Sequence, residues 1–392
     1  MSLAIPPHPT SAGVLLQHFL DGRARTRAEL VEATGLGRAT VAARIDALAA
    51  AGLLRAAGAT TSTGGRPPSM LAFDPSGGTI VAFDFGARHA NIAITDLSAT
   101  AVASVSLALD IADGPVAALD AACSHARTLL ETAGRDASHV VGVGIGVPGP
   151  VEHATGRPVN PPIMPGWDRF DIPAHVQRAF PVPVLVDNDV NILALGEHAA
   201  SGGRHDDLVY VKVATGIGAG IIAGGVLQRG ADGAAGDLGH IRVPYSPSPL
   251  RTPEDERDLE AIASGTAIAE ALVARGIAAT SSDHVVALLR AGDADALDIT
   301  REAGRVLGEA LALVVSLHNP AVIVLGGSIA RAGEQLLAGV REVVYRRSIP
   351  LATQHLSIVQ SQGGALAGAR GAAILVRQHV LSPALVDAHL AR

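Results

Sequence analysis

Two patterns of apolar residues follow one another along the chain. Up to about residue 54 the apolar residues recur at helical spacing, as in Val41, Ile45 and Leu48, whereas from residue 79 they come in the short runs of buried strands. The predicted helices of the first part cover residues 12–20, 26–33 and 38–50. The pattern therefore predicts a small helical head followed by a larger, strand-rich α/β body.

The head has the signals of a helix-turn-helix. Thr26-Arg27-Ala28-Glu29 is a capping box that begins the second helix, and Thr34-Gly35-Leu36-Gly37 is a tight turn before the third. In this motif the third helix enters the major groove of DNA. Arg38, Thr40 and Arg44 lie on its exposed side, and these side chains bond phosphates or base edges.

A wing is predicted after the third helix. Residues 59–68 form a polar turn between two short strands, and Arg66, held extended by Pro67, is placed to reach a minor groove. Residues 1–73 carry seven Arg and four Asp or Glu, a net charge of +3, so the remainder of the −7 chain carries −10. The basic head predicts double-stranded DNA as a partner; the alternative is a module for packing or dimerisation.

The body contains two rounds of strands. The first predicts an antiparallel meander over 80–86, 90–96 and 101–107, a helix over 116–133, and strands over 140–147 and 184–186. The second begins at Val209 and predicts helices over 261–274 and 300–317 and a strand over 322–325. Because each round contains a glycine turn, we expect an internal duplication with a cleft between the halves.

The stretch 209–240 is predicted to be a strand, a glycine turn over 215–220 and a second strand, closing on polar residues at 236–240. Without a Cβ, glycine lets backbone N–H groups approach an oxyanion. The stretch is therefore expected to hold either a phosphate or a polyol.

Composition narrows the class of protein. The single cysteine, Cys123, excludes an intrachain disulfide and a zinc site made only of cysteines. The first residues lack a basic start and an apolar run, and the longest apolar segment, 310–317, is too short to span a bilayer. We expect a cytoplasmic protein with no membrane contact.

The body resembles the ROK family, which comprises repressors, open reading frames and sugar kinases. The resemblance covers about 80–385, and the winged head matches the repressor branch. The matching segments are Asp84-Phe85-Gly86, Gly146 to Pro150, Asn160 to Trp167, Asp187 to Asn191, Thr215 to Gly220, Ala235 to His240, Leu259 to Gly265 and Leu325-Gly326-Gly327.

The resemblance implies the fold. It indicates an N-terminal winged helix-turn-helix plus a duplicated actin-like (ribonuclease-H-like), two-lobed sugar-kinase fold. The expected domains are 1–73 for DNA binding, 79–190 for the first lobe and 191–392 for the second lobe. A return of the last helix to the first lobe is left open.

The resemblance also implies a sugar site. The expected contacts are Asn160, Asn188, Asp189, Asp237, His240 and Glu260. In kinases of the family the residue at Asp189 takes the proton from the attacking hydroxyl; Asp237 departs from the family's glutamate by one methylene. The alternatives are structural roles: packed side chains for His240 and Glu260, and a helix N-cap for Asp189.

Two departures from the kinases change the expected chemistry. Asp84, Gly86, Thr215, Gly216 and Gly218 are read as vestigial phosphate loops. The second glycine and the threonine of the kinase DxGGT loop are replaced by Ala87 and Arg88. ATP is therefore not expected to bind unless Arg88 meets the phosphate; alternatively this turn only closes a hairpin.

The second departure concerns zinc. The positions that match the family's zinc cysteines are Arg251, Pro253 and Asp258, none of which supplies a thiolate. No metal or other cofactor is expected.

The resulting hypothesis is a DNA-binding transcriptional regulator that senses a sugar or sugar derivative without phosphorylating it; repression is favoured, and activation is the alternative. We expect a homodimer or a dimer of dimers on a DNA operator. One alternative is an active ATP-dependent sugar kinase with a DNA-binding head and Asp189 as its catalytic base. Another is a ligand-independent regulator whose body only dimerises.

Overall fold

The computed structural model describes residues 11–59, 69–243, 250 and 257–391. Arg66 and the tip of the predicted wing lie outside the described residues, as do Arg251 and Pro253.

The head contains three helices and a small antiparallel sheet. The elements are α1 (Ala12–Gln17), β1 (Arg25–Thr26), α2 (Arg27–Thr34), α3 (Arg38–Ala50), β2 (Leu54–Ala59) and β3 (Ser69–Phe73), with sheet order β1-β3-β2. The capping box is present: the Glu29 N–H donates to the Thr26 hydroxyl at 3.2 Å, and the Thr26 N–H donates to the Glu29 carboxylate at 2.6 Å. The predicted winged helix-turn-helix therefore forms from its local signals.

The first helix is shorter than predicted, because it ends at Gln17 rather than at residue 20. The N–H groups of His18 and Phe19 bond back three residues, to Leu15 and Leu16. This tighter turn carries the fully buried Phe19 into the core of the head.

The first sheet of the body has the order β10-β7-β4-β5-β6, in which β4, β5 and β6 form the predicted antiparallel meander and β7 and β10 run parallel to β4. Its strands are β4 (Thr79–Phe85), β5 (His89–Asp96), β6 (Ala101–Ala108), β7 (Val140–Val147) and β10 (Val184–Asn188). Between them lie α4 (Pro115–Thr132), the hairpin of β8 (Val151–Glu152) and β9 (Arg157–Pro158), and α5 (Ile172–Val176).

The second sheet repeats this arrangement, with the order β13-β12-β11-β14-β15. Its strands are β11 (Leu208–Val213), β12 (Ile217–Ala223), β13 (Val226–Gln228), β14 (Val322–Gly326) and β15 (Ser357–Gln360). In both sheets three antiparallel strands are followed by two parallel ones on the other side of the first strand. The duplicated, actin-like two-lobed body is thus confirmed.

The remaining helices follow the strands of the two halves. They are α6 (Asp189–Ala200), α7 (Leu259–Ala263), α8 (Gly265–Ala274), α9 (Ser282–Ala291), α10 (Ala294–His318), α11 (Gly327–Ala330), α12 (Gln335–Arg347), α13 (Pro350–Thr353), α14 (Ala367–Val380) and α15 (Pro383–Leu390). None of the helices in the described part of the chain is long and apolar enough to cross a lipid bilayer.

Two predictions for the second half were wrong in detail. The helix expected over 261–274 is divided at Ser264, whose extended backbone ends α7 and whose hydroxyl accepts the N–H of Ala267 at the start of α8. The glycine turn expected over 215–220 is confined to Ala214–Gly216, because residues from Ile217 onward pair with β11.

Helices α6 and α14 pack against each other between the two sheets. Helix α6 contacts β11 and β12 of the second sheet, and α14 contacts β4 and β7 of the first. Glycines allow the close approach: a Cβ at Gly196 would overlap the backbone of Ala367, and a Cβ at Gly371 would overlap the carbonyl of Ile192. The predicted lobe boundary at 190/191 lies inside α6, and the domain boundaries stay a prediction.

We expect Gly371→Ala to destabilise the protein by about 1–3 kcal/mol, because the added methyl group overpacks the contact between α6 and α14. The midpoint of urea unfolding measures the effect. Gly333→Ala is the matched control, since a Cβ there meets no atom among the described residues. Equal midpoints for the two variants would contradict the packing argument.

Candidate functional site

Asp189 is the first residue of α6, at the end of strand β10. The N-cap is Asn188, whose side-chain oxygen accepts the Val190 N–H at 2.9 Å. The suggestion that Asp189 caps the helix is therefore wrong, and its carboxylate is left for another partner. The Asn188 amide nitrogen also donates to the Gly149 carbonyl at 2.9 Å, which fixes the turn in front of Asp189.

The partner of Asp189 is Lys212, which forms a largely buried ion pair with it from the end of β11. Burial would lower the pKa of the Lys212 ammonium group, but the charge of Asp189, its hydrogen bond and the charge of Asp84 together outweigh burial, and the pKa is raised. Lys212 is the only lysine in the sequence, the other 29 of 30 basic residues being arginines. Lys212 is not among the predicted site residues, although a lone lysine in an apolar strand is a detectable signal.

Asp84 lies beside this pair. It is buried at the end of β4 and accepts a hydrogen bond from the Asn91 amide at 3.1 Å; Asn91 in turn accepts one from the Ser106 hydroxyl at 2.7 Å. Burial raises the pKa of the Asp84 carboxyl group, and the nearby Asp189 charge adds to this, while the Asn91 hydrogen bond and the Lys212 charge act against it. Two buried carboxyl groups thus share the neighbourhood of one ammonium group.

The segment predicted to be a vestigial phosphate loop, residues 84–88, is a closed hairpin turn. The Gly86 N–H donates to the His89 carbonyl at 2.8 Å, and the His89 imidazole occupies the space into which a Cβ of Gly86 would project. The carbonyls of Ala87 and Arg88 accept the N–H groups of residues 111 and 109. With the glycine covered by a side chain, the residues present do not fit the close approach of a nucleotide phosphate.

A second buried ion pair lies two residues before Asp189. The Arg229 Nε donates to the Asp187 carboxylate at 2.7 Å, and the Asn191 amide donates to its other oxygen at 2.7 Å. The His153 Nδ1 lies 3.8 Å from the same carboxylate, and burial, reinforced by Arg229, lowers the pKa of this imidazole. Arg229 follows β13, so both cations reach the 187–189 segment from the second sheet.

The other expected sugar contacts form a separate group. The His240 Nδ1 lies 2.7 Å from the Asp237 carboxylate, and both side chains are more than half exposed, at 58% and 56%. Glu260 accepts the Ile217 N–H at 2.7 Å and so fixes the glycine turn. Within the described ranges, no hydrogen bond or ion pair joins these three residues to Asp189. Since His240 is exposed, it is not a packed core residue.

The remaining predicted positions have mainly structural contacts. Gly218 and Gly220 face Val190 of α6, where a Cβ would meet that helix, and the Thr215 carbonyl accepts the Thr266 hydroxyl at 3.0 Å. Asn160 has a positive φ of 45° and donates its N–H to Asp168 at 2.7 Å. Its neighbour Pro161 lies against Gly149, whose carbonyl accepts the Asn188 amide.

The described part of the zinc segment does not suit zinc. Asp258, at the position of the family's third cysteine, caps α7 by accepting the Ala261 N–H at 2.9 Å. No group of three or more possible metal ligands is found among the residues that the structure describes. The residues present there do not fit the family's zinc site.

The candidate DNA-binding surface lies on α3. Arg38, Thr40 and Arg44 are exposed, whereas Val41, Ile45 and Leu48 on the other side of the helix are buried in the core of the head. The cationic side chains are thus presented on a helix that its apolar face fixes in place.

Residues 80–379 match the model of the ROK family. The chain belongs to the ROK family. The xylose repressor of Bacillus spizizenii is 27% identical over 94% of this chain and 95% of its own length. The glucokinase of Thermotoga maritima is 31% identical but matches 65% of this chain and 84% of its own.

Solved structures of ROK proteins differ in the same way in how much of this chain they cover. A ROK family transcriptional regulator, a homologue of the E. coli MLC protein, superposes with a TM-score of 0.80 at 24% identity, over 97% of this chain and 98% of that one. A ROK family glucokinase from Streptomyces griseus, solved with glucose and AMPPNP, gives a TM-score of 0.65 at 29% identity, over 77% of this chain and 100% of that one. The two-lobed ROK fold is shared with both.

We expect the His240 imidazole of this ROK protein to titrate above its ordinary pKa, because the hydrogen bond that its ring N–H donates to the Asp237 carboxylate favours the protonated ring. The ion pair therefore forms with the protonated ring and is lost as the pH rises through the raised pKa. In Asp237→Asn the pKa is expected to fall, as measured by NMR titration of the ring protons. Asp283→Asn, at an exposed site on α9, is the control; an unchanged His240 pKa in Asp237→Asn would contradict the assignment.

Proposed function

We propose that this protein is a sequence-specific DNA-binding transcriptional repressor whose ROK body senses a sugar or sugar derivative without phosphorylating it. The observation that carries the proposal is the extent of the matches. The xylose repressor alignment leaves 6% of the chain unmatched, too little to omit the head, whereas the glucokinase alignment leaves 35%. The chain thus resembles repressors over its head and body together.

The head supplies the means to bind DNA. Arg38, Thr40 and Arg44 stand on the exposed side of α3, where this type of domain contacts bases and phosphates. We propose that two such heads act together in a homodimer, or in a dimer of dimers, on an operator with two half-sites. In a symmetric dimer, half-sites about one helical turn or a multiple apart match the two heads.

The absence of phosphorylation is argued from the ion pair of Asp189. A catalytic base at this position needs a carboxylate oxygen that accepts the proton of the attacking hydroxyl. Here the Lys212 ammonium group already occupies the carboxylate, and His89 covers the glycine of the first phosphate loop. Both changes work against a kinase. Sugar binding requires only a hydroxyl that displaces the ammonium group and donates a hydrogen bond to the carboxylate, and it needs no nucleotide phosphate.

Sensing follows from the place of the same ion pair. Lys212 belongs to the second sheet, whereas Asp189 follows the last strand of the first sheet. A sugar that bonds Asp189 therefore competes with a contact between the two halves. A ligand shifts a conformational equilibrium by its difference in affinity for the two states. We propose that this competition is what the effector changes.

The alternative function is an active ATP-dependent sugar kinase that carries a DNA-binding head. The retained Asp189 and the 31% identity to a glucokinase favour it. An assay of ADP release over pentoses, hexoses and amino sugars decides between the two. Turnover that is abolished in Asp189→Asn would establish the kinase.

We expect Arg38→Ala and Arg44→Ala each to weaken binding to the preferred DNA by about 5- to 150-fold, which corresponds to ~1–3 kcal/mol for a base-contacting arginine. Binding is measured by gel shift at a stated salt concentration, on a duplex that the wild-type protein selects from a random-sequence pool. Arg290→Ala, at an exposed site on α9, is the matched control. If the wild-type protein gives no sequence-specific shift at any salt concentration, the proposed function is wrong.

We expect sugar binding to change the NMR signal of Lys212 without ADP release. Because Lys212 is the only lysine, protein labelled with carbon-13 lysine gives one side-chain Cε signal, which reports the pair with Asp189. D-xylose and D-glucose are tested first, because relatives include xylose repressors and glucokinases. Asp189→Asn is expected to abolish the response to sugar. A signal unmoved by every pentose, hexose and amino sugar would favour a body that only dimerises.

A further inference from the structure

The C-terminal helix α15 packs on the first helix of the DNA-binding head. The Gly13 N–H at the start of α1 donates to the Asp387 carboxylate at 2.8 Å, and the Gln17 amide donates to the Leu381 carbonyl at 2.9 Å. A Cβ at Gly13 would overlap the backbone of Pro383, so that the two helices touch without a side chain between them. We name this contact between α1 and residues 381–387 the terminal clasp.

The terminal clasp belongs to a buried apolar cluster that the head shares with the body. Leu15 and Leu16 of α1 belong to one continuous buried cluster with Val386 of α15 and Leu381. The same cluster contains Val41, Ile45 and Leu48, the buried face of α3. The orientation of α3 is therefore joined to α15 through α1, without any residue of α15 taking part in the candidate DNA-binding surface.

The head is attached to the body at a second place, the segment 74–77 that follows strand β3. The Asp74 N–H donates to the Leu53 carbonyl at 2.9 Å, the Leu97 N–H of the body donates to the Pro75 carbonyl at 2.9 Å, and Gly77 lies against Gly52. A single attachment would leave the head free to rotate about it. Two attachments, the segment 74–77 and the terminal clasp, fix the orientation of the head on the body.

Helix α15 is also joined to the cleft. Only residues 381 and 382 separate it from α14, a 14-residue helix that spans about 20 Å at 1.5 Å per residue. At the other end of α14, a Cβ at Gly368 would overlap the Asp84 carboxylate. Helix α14, which leads directly into α15, thus begins against the site at which Asp84, Asp189 and Lys212 meet.

We propose that Asp387, Gln17 and Gly13 are positioning residues for DNA binding: the terminal clasp sets the angle of each head on its body and hence the half-site separation that a dimer recognises. This inference rests on the proposed function. It assigns selectivity for operator spacing to residues that do not touch DNA.

The test separates the angle of the heads from their affinity for DNA. The probes are the duplex selected by the wild-type protein, a series with one to five base pairs inserted between its half-sites, and a duplex with one half-site. Each inserted pair rotates one half-site by ~34°, given about 10.5 base pairs per turn. For the wild-type protein we expect affinity to fall at least tenfold across the series.

In Asp387→Ala, the loss across the same series is expected to be less than threefold, with affinity for the single half-site within twofold of wild type. Gly13→Ala keeps the carboxylate but separates the helices, and it is expected to give the same flattened profile. Asp283→Ala, which removes an exposed carboxylate from α9, is expected to keep the wild-type profile. Circular dichroism and thermal melting verify that each variant is folded.

Each other outcome has a definite meaning. Folded variants that keep the wild-type spacing profile would overturn the positioning role, as would a wild-type protein that is insensitive to spacing. Loss of binding to the single half-site in both variants would also overturn it, because the terminal clasp would then support the fold of the head rather than its angle. Failure of the wild-type protein to bind any DNA specifically is a different result, which refutes the proposed function itself.

Discussion

The packing of α6 against α14 is the constraint on which both the site and the head depend. The two helices lie between the sheets and approach so closely that Gly196 and Gly371 contact backbone atoms of the opposite helix. The first turn of α6 carries Asp189, and the first turn of α14 carries Gly368, which lies against Asp84. One helix pair therefore sets the separation of the two acidic groups, and α14 continues through Leu381 into the helix that holds the head. A protein interior this dense transmits displacements rather than absorbing them.

The buried charges at the start of α6 limit which sugars can act as an effector. Asp187 and Asp189 are buried, and each is paired with a cation from the second sheet, Arg229 or Lys212. Removing one partner of a buried ion pair is costly, because it leaves an uncompensated charge. A sugar that displaces Lys212 must therefore donate hydroxyl hydrogen bonds of its own to the carboxylate, in the number and direction that the ammonium group provided. Such a requirement selects among sugars by the arrangement of their hydroxyl groups.

Local signals predicted the elements, whereas the decisive contacts of the site were not local. The capping box at Thr26 and the apolar runs of the body led to the head and to the order of most strands, because these features depend on neighbours a few residues away. The ion pair of Lys212 joins residues 23 positions apart, and that of Arg229 joins residues 42 apart; both form only when the two sheets meet. The periodicity of apolar residues does not show which carboxylate will pair with a buried cation. The family resemblance indicated Asp189 but not Lys212, which forms an ion pair with its carboxylate.

The terminal clasp also has a consequence for the order in which the chain folds during synthesis. The Gly13 N–H and the Asp387 carboxylate that accepts it are 374 residues apart. The first helix of the head is therefore synthesised long before the residues of α15 that it contacts. At a translation rate of about 5–20 residues per second, this interval is roughly 20–75 s. Until α15 has been synthesised, part of the apolar face of α1 lacks its packing partner. A newly made head therefore reaches its final orientation only when the C-terminal helix leaves the ribosome, and truncated chains do not complete it.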